Sequence, residues 1–197
     1  MANVGALILA AGESSRLGRP KQLIQFRGKS LIRRIVDAAD EAGCAPIAVV
    51  IGSDGKKMAP ELERTRAAIV ENKDWRNRIE TSMRAGMQNL VECGRDLDEV
   101  ILLVCDQPLV EKELIERLIA CYGEAGKTII ASSYSGTLGV PAFFDRSHFE
   151  ELLTLADDSG GKSIIISRRE SVVEFPFPPG NLDIDTLADY ERLIAKA

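Results

Sequence analysis

Short continuous apolar runs alternate along the chain with stretches whose apolar positions recur at helical spacing. Val4–Leu9, Ile47–Ile51 and Val100–Val104 are uninterrupted apolar runs, the pattern of parallel strands buried on both faces. Shorter runs at Ala67–Val70, Thr128–Ser132, Val140–Phe144 and Val172–Phe175 predict further strands. Between them, Ser30 suits the N-cap of a helix that runs to about Ala42 and closes at Gly43. Pro60–Arg66, Glu111–Tyr122, Ser147–Leu155 and Lys162–Arg169 also read as helices, and Ile79, Met83, Met87 and Leu90 give Arg78–Val91 one apolar face. A closing helix opens at Thr186 with Asp189 three positions on, a variant of the capping box. Strands and helices alternating in this way predict an α/β fold, a Rossmann-like three-layer sandwich with a mostly parallel sheet. No linker or repeat divides residues 1–197, so a single domain is expected. Ligands on such a sheet bind beyond the carboxyl ends of the strands. The loops after Leu9 and after Val104 are therefore where chemistry is expected.

Composition changes this picture little. With 45% hydrophobic and 28% charged residues, the chain is that of an ordinary globular protein, which excludes collagen, disorder and coiled coil. The apolar stretch from Val4 to Gly12 is too short for a membrane span and lacks the basic flank of a signal peptide. Cys44, Cys93, Cys105 and Cys121 stand far apart, without metal-ligand spacing, and read as reduced thiols. A cytoplasmic protein without membrane contact is expected. Charge is more informative. Between Ala10 and Arg34 lie seven basic residues and one acid, a local net of +6, which leaves −11 for the rest of a chain whose total is −5. Such a field would repel a long polyanion but can hold a small one. Without basic–aromatic interleaving, nucleic acid is not an expected partner; a small phosphorylated ligand is.

The first loop reads Leu9-Ala10-Ala11-Gly12-Glu13-Ser14-Ser15-Arg16-Leu17-Gly18-Arg19-Pro20-Lys21-Gln22. Its small residues let the backbone approach a ligand, and successive N–H groups can line an anion site. Arg16 and Lys21 supply forked and point-charge phosphate recognition. The loop is not a P-loop, since Arg19-Pro20 separate Gly18 from Lys21, and no GxGxxG exists in the chain.

The stretch from Leu9 to Lys21 matches LAAGxSxRxGxPK, and further motifs follow in order: Asn72-x-x-Trp75 with Ser82 and Gly86, Cys105-Asp106-Gln107-Pro108, Gly139-Val140-Pro141, and Asp183-Ile184-Asp185-Thr186. In these the chain resembles nucleotidyltransferases of the MobA-like family, most closely the branch containing molybdenum cofactor cytidylyltransferases. The resemblance covers essentially the whole chain. It implies a nucleotide-diphospho-sugar transferase-like fold on which a nucleoside triphosphate and Mg²⁺ meet an acceptor phosphate. Ala10, Ala11, Gly12 and Ser14 would cradle the nucleotide, and Asn72 and Ser82 would face its base or ribose. Arg16 and Lys21 would act on the triphosphate as the catalytic cations. Asp106 would bind the metal with Asp183 and Asp185, whose inward-pointing member depends on a strand register the sequence leaves open. Lys162, in a glycine-rich stretch beginning at Asp157, would contact the acceptor.

The chain departs from the family at Cys105, where a glycine is common, and near Arg78, also usually glycine. Trp75 reads as a packing residue, Gln22 and Pro20 as loop-shaping residues, and His148 as an exposed residue of an amphipathic helix. A methyl group at Ala11 narrows the base pocket in favour of CTP. The implied reaction is transfer of CMP to the phosphate of molybdopterin, by a monomer that serves a molybdenum oxidoreductase. Two alternatives stay open: a cytidylyltransferase for a sugar or polyol phosphate, and a non-catalytic carrier of molybdenum cofactor.

Overall fold

A computed structural model describes residues 3–12, 17–52, 55–76, 79–94, 96–155 and 160–194. The elements are β1 (Val4–Ala10), β2 (Gln25–Phe26), β3 (Lys29–Ser30), α1 (Leu31–Glu41), β4 (Ile47–Ile51), α2 (Gly55–Leu62), β5 (Ala68–Glu71), α3 (Ile79–Cys93), β6 (Glu99–Val104), α4 (Lys112–Ala125), β7 (Ile129–Tyr134), β8 (Thr137–Asp145), α5 (Phe149–Thr154), α6 (Gly161–Ser167), β9 (Val172–Pro176) and α7 (Leu187–Ile194). A seven-stranded sheet has the order β5-β4-β1-β6-β8-β7-β9. β1 pairs in parallel with both β4 and β6, while β8 runs antiparallel to β6 and β7. The mostly parallel sandwich expected from the alternating runs is present.

Side chains leave the central strands on alternate faces, and the two faces bury two different cores. Val4, Ala6, Ile8 and Ala10 of β1 pack with α1, α2 and α4, whereas Leu7 and Leu9 pack with α3, α5 and α6. That double burial is why β1 reads as a continuous apolar run. A third small cluster joins Ile24, Phe26 and Leu31 to Ile184 and Leu193, so the β2–β3 hairpin docks on the C-terminal segment. Helix ends follow their sequence signals. Ser30 Oγ accepts from Arg33 N at 3.3 Å, and Gly43 takes φ +85 after α1. At α7, Thr186 N donates to Asp189 Oδ2 at 2.7 Å and Asp189 N returns to Thr186 Oγ1 at 3.2 Å.

Some expectations are corrected. The helix placed at Pro60–Arg66 lies earlier, at Gly55–Leu62, with Pro60 inside it. The strand placed at Val140–Phe144 begins at Thr137 and is an inner strand. Pro141 is tolerated there because the β7–β8 register shifts between Ala131 and Ser132, and Ser132 Oγ donates to Pro141 O at 2.7 Å. His148 is 6% exposed, not a surface residue. Its ring lies against Phe144, and Nε2 is 2.8 Å from Thr128 Oγ1. No helix among the described residues is long and apolar enough to cross a membrane.

α3 reaches the sheet because Gly86 has no side chain. A Cβ there would stand 2.1 Å from Leu7 Cδ1 and 2.7 Å from Val50 Cγ2. Neither neighbour can retreat from a close-packed core. Gly86→Ala is expected to cost about 1–3 kcal/mol and to lower the unfolding temperature by roughly 3–10 °C. A circular-dichroism melt matching wild type would contradict the contact.

Candidate active site

β1 stands where the connections diverge, with β4 on one side and β6 on the other. The carboxyl ends of β1 and β6 are in register, Leu9 opposite Val104, so the loops that follow leave the sheet side by side. This is the switch-point crevice of an open α/β sheet. A cavity of about 330 Å³ opens there. It is lined by Leu9, Ala10, Ala11, Gly12 and Lys21 from the first loop, by Val104, Cys105 and Asp106 at the end of β6, and by Trp75, Arg76, Ile79 and Ser82.

The first loop is fixed from behind. The Gln22 amide donates to Ala10 O at 2.8 Å and Gly12 O at 3.0 Å, and Gln22 is 1% exposed. The carbonyls of Ala10 and Gly12 are thus held by one side chain. Pro20 leads into a single 3₁₀ turn, Lys21–Leu23, which delivers Lys21 to the crevice. Lys21 Nζ donates to Asp106 Oδ2 at 2.5 Å and to Asp185 Oδ1 at 3.1 Å. Burial alone would push this ammonium down. The charge and hydrogen bond of Asp106, with help from Asp185, outweigh burial and hold it above its ordinary range. Lys21 stays protonated across the physiological range.

Asp185 arrives from far along the chain through the backbone. Ile184 N donates to Asp106 O at 3.0 Å, and the Ile184 side chain is fully buried in the third cluster. The Asp183–Asp185 segment is therefore an anchored loop, not a strand, so strand register does not choose between its two acids. Asp185 meets Lys21. Asp183 lines a separate small cavity with Asp189 and Arg192. Much of Asp183 is exposed, yet its carboxyl is pushed up to about 6, by burial first and then by the charges of Asp106 and Asp185. Beside Asp106, burial and that carboxylate push the Cys105 thiol well up, so it stays protonated and inert.

Asp106 and Asp185 flank one ammonium, with Asp183 in a neighbouring small cavity, and hard carboxylate oxygens of this kind suit a hard divalent cation. Among the described residues, no three such side chains close to metal-ligand spacing. Lys21 takes the place between Asp106 and Asp185.

The remaining candidates divide. Ser82 lines the cavity, but Asn72 stands behind it, donating to Thr81 Oγ1 at 2.8 Å and Ser82 Oγ at 2.9 Å. Arg16 and Ser14 lie outside the described residues. Lys162 lines a different cavity of about 440 Å³, with Leu138, Ile165, Ile166, Arg169 and Glu174. Sequence reasoning missed Arg76 and Ile79. Both flank the Asn72-x-x-Trp75 motif, and its spacing was the available signal. It also missed Gln107, whose buried amide donates to Val140 O at 3.2 Å and Gly180 O at 2.9 Å and so ties the Asp106 loop to the far half of the sheet.

Residues 6–172 match the MobA-like NTP transferase domain. The chain belongs to that family. Within it, this MobA-like protein is similar to nicotine blue oxidoreductase of Paenarthrobacter nicotinovorans, 27% identical over 146 residues that cover 74% of this chain and 68% of that one. It is also 31% identical over 133 residues to the bifunctional protein GlmU of Sorangium cellulosum, covering 64% of this chain and 28% of GlmU. Among solved structures, Rv0371c from Mycobacterium tuberculosis H37Rv superposes with a TM-score of 0.82 at 29% identity, each chain fully covered. The same protein complexed with manganese gives 0.78 at 27% identity, again over the full length of both chains. The fold of this MobA-like protein is that of the nucleotide-diphospho-sugar transferases.

Because Lys21 offsets the repulsion between Asp106 and Asp185, replacing it exposes that repulsion. Lys21→Met is expected to lose about 1–3 kcal/mol of stability, and millimolar Mn²⁺ is expected to recover part of the loss. Thermal unfolding with and without the ion checks this. A variant as stable as wild type, or one deaf to Mn²⁺, would contradict the arrangement.

Proposed function

We propose that this MobA-like protein transfers CMP from CTP to the phosphate of molybdopterin cofactor and releases pyrophosphate. The observation that carries this reading is the Lys21 ammonium bonded to Asp106 and Asp185 at the carboxyl ends of β1 and β6, inside a cavity lined by Ala10, Ala11 and Gly12. A cavity lined by a permanent cation and by small residues whose backbone a ligand can approach suits a triphosphate.

In the reaction, an oxygen of the acceptor phosphate attacks the α-phosphorus of CTP. The bond from that phosphorus to the α–β bridging oxygen breaks, and pyrophosphate leaves with the electron pair. No proton need move at neutral pH. The chain's work is positioning and charge stabilisation. Lys21 offsets negative charge on the triphosphate, and Arg16 is assigned the same task from the sequence motif. Ala10, Ala11, Gly12 and Ser14 hold the nucleotide by backbone approach. Asn72 acts through Ser82, fixing that hydroxyl at the cavity wall. Asp106, with Asp183 and Asp185, would hold a divalent cation, Mg²⁺ in this reading. When bound, such an ion neutralises phosphate oxygens and orients them. The manganese complex of Rv0371c supports divalent-metal use.

Base choice is assigned to Ala11, which lines the cavity and whose added methyl group, relative to glycine, favours a pyrimidine in this reading. The acceptor half is assigned to the second cavity, where Lys162, which has no ion pair among the described residues, stands beside Leu138, Ile165 and Ile166. A cation beside apolar side chains matches an acceptor with a phosphate and a flat organic body. A monomer that hands its product to a molybdenum oxidoreductase completes the proposal.

The name of the Paenarthrobacter relative favours a second reading, in which the same cavity carries a redox reaction. One assay separates the two. With CTP, molybdopterin cofactor and Mg²⁺, the transfer reading expects stoichiometric pyrophosphate. Lys21→Ala and Asp106→Ala are each expected to lower kcat/KM by about 10²-fold or more. Absence of CTP-dependent pyrophosphate would overturn the proposal.

A further inference from the structure

The cavity between β1 and β6 brings two kinds of lining together. Lys21 and Asp106 give it fixed charges, while the Trp75 indole and the Ile79 side chain give it apolar surface with the Arg76 guanidinium beside them. Trp75 packs on the core beneath α3, and its ring presses on the backbone of Gly52. A Cβ at Gly52 would lie 2.9 Å from Trp75 Cγ and 2.8 Å from Ala11 O. Gly52 thereby lets the indole slide in beside the first loop. Over the ring, 4.9 Å from its centroid, stands the Arg76 guanidinium. Arg76 is exposed and has no ion pair among the described residues. A cation held over an aromatic ring at the wall of a cavity, with no carboxylate partner among the described residues, is placed for recognition.

We infer that Trp75 and Arg76 together form the stacking surface for the nucleobase, and so hold the base end of the nucleotide whichever base it carries. The inference rests on the reading of this cavity as the nucleotide site. Its basis is a match of chemistry: a nucleoside triphosphate joins a flat heterocycle to phosphates, and the one cavity is lined both by the Trp75–Arg76 pair and by Lys21 and Asp106. Guanidinium planes stack on heterocycles, and their in-plane N–H groups are free to donate to a base carbonyl. Ile79, 43% exposed, extends the same wall with apolar surface that a bound base would cover. A Trp75 that served packing alone would need neither the guanidinium over its ring nor a face on the cavity.

Trp75 is the chain's one tryptophan, so its emission reports this wall and nothing else. The test titrates wild type with CTP, with GTP and with tripolyphosphate as a base-free probe, following Trp75 emission and calorimetric binding in parallel. Both nucleotides are expected to change the emission with midpoints that match calorimetry, and tripolyphosphate to bind with little change. Base stacking is worth about 1–3 kcal/mol, roughly 5- to 150-fold in affinity. Arg76→Ala and Trp75→Leu should weaken CTP within that range and leave tripolyphosphate unaffected, while Trp75→Phe should retain most of the affinity. Arg76 is exposed, so its variant keeps the test valid even where Trp75→Leu fails to fold. Arg76→Lys separates plane from charge and is expected to behave like Arg76→Ala. Calorimetric binding of CTP with silent Trp75 emission and unchanged affinity in Arg76→Ala would overturn the inference and leave the nucleotide reading intact. So would Arg76→Ala weakening tripolyphosphate as much as CTP, which would make Arg76 a phosphate contact. No binding of either nucleotide would overturn both.

Discussion

Asp106 and Asp185 are far apart in sequence and would repel one another at the end of the sheet. The Lys21 ammonium between them, 2.5 Å from one and 3.1 Å from the other, lets the two loops meet. The triad is more than a surface ion pair, because the Lys21 side chain is only 11% exposed and its dehydration has to be offset by both carboxylates. Exposed pairs elsewhere in the molecule, such as Arg27–Glu111, carry far less weight. The same three groups also set the chemistry of the crevice. They keep one positive charge fixed there, flanked by two carboxylates.

The fold makes that meeting possible by where it puts β1. A strand buried on both faces, with parallel neighbours on each side, is rigid at its carboxyl end. The loop that follows is pinned by Gln22 and turned by Pro20, so Lys21 is presented by a supported turn. The third cluster then anchors Ile184 and brings Asp185 up from the C-terminal segment. Glycines at Gly52 and Gly86 let the Trp75 ring and α3 close on the same crevice. Stability and site are therefore built from the same contacts.

Much of this was legible in the sequence. Strands buried on both faces announce themselves as unbroken apolar runs, and caps such as Ser30 and the Thr186–Asp189 pair act within one helical turn. Lys21, Asp106 and the two late acids were named from motif order, and the structure brings Lys21, Asp106 and Asp185 into contact. What sequence could not supply was long-range. The pairing of Ile184 N with Asp106 O decides how Asp183 and Asp185 are presented, and no local pattern encodes it. His148 was misplaced for the same reason, since charged neighbours suggested an exposed helix while Thr128, across the fold, supplies its partner. Pro141 in an inner strand depends on a bulge in β7–β8 that periodicity does not reveal. Asn72 carries a motif position yet works from behind Ser82, because sequence spacing does not distinguish a lining residue from the one that holds it.

In the proposed function Lys21, Asp106 and Asp185 form one charged centre that serves both metal and triphosphate. Electron paramagnetic resonance of Mn²⁺ tests it most directly, with the free-ion signal followed as protein is added in the presence of a non-hydrolysable CTP analogue. The account predicts that wild type removes the free-ion signal, that the analogue strengthens Mn²⁺ binding, and that Asp106→Asn abolishes this coupling. Mn²⁺ binding that is indifferent to the analogue, or that survives unchanged in Asp106→Asn, would contradict it.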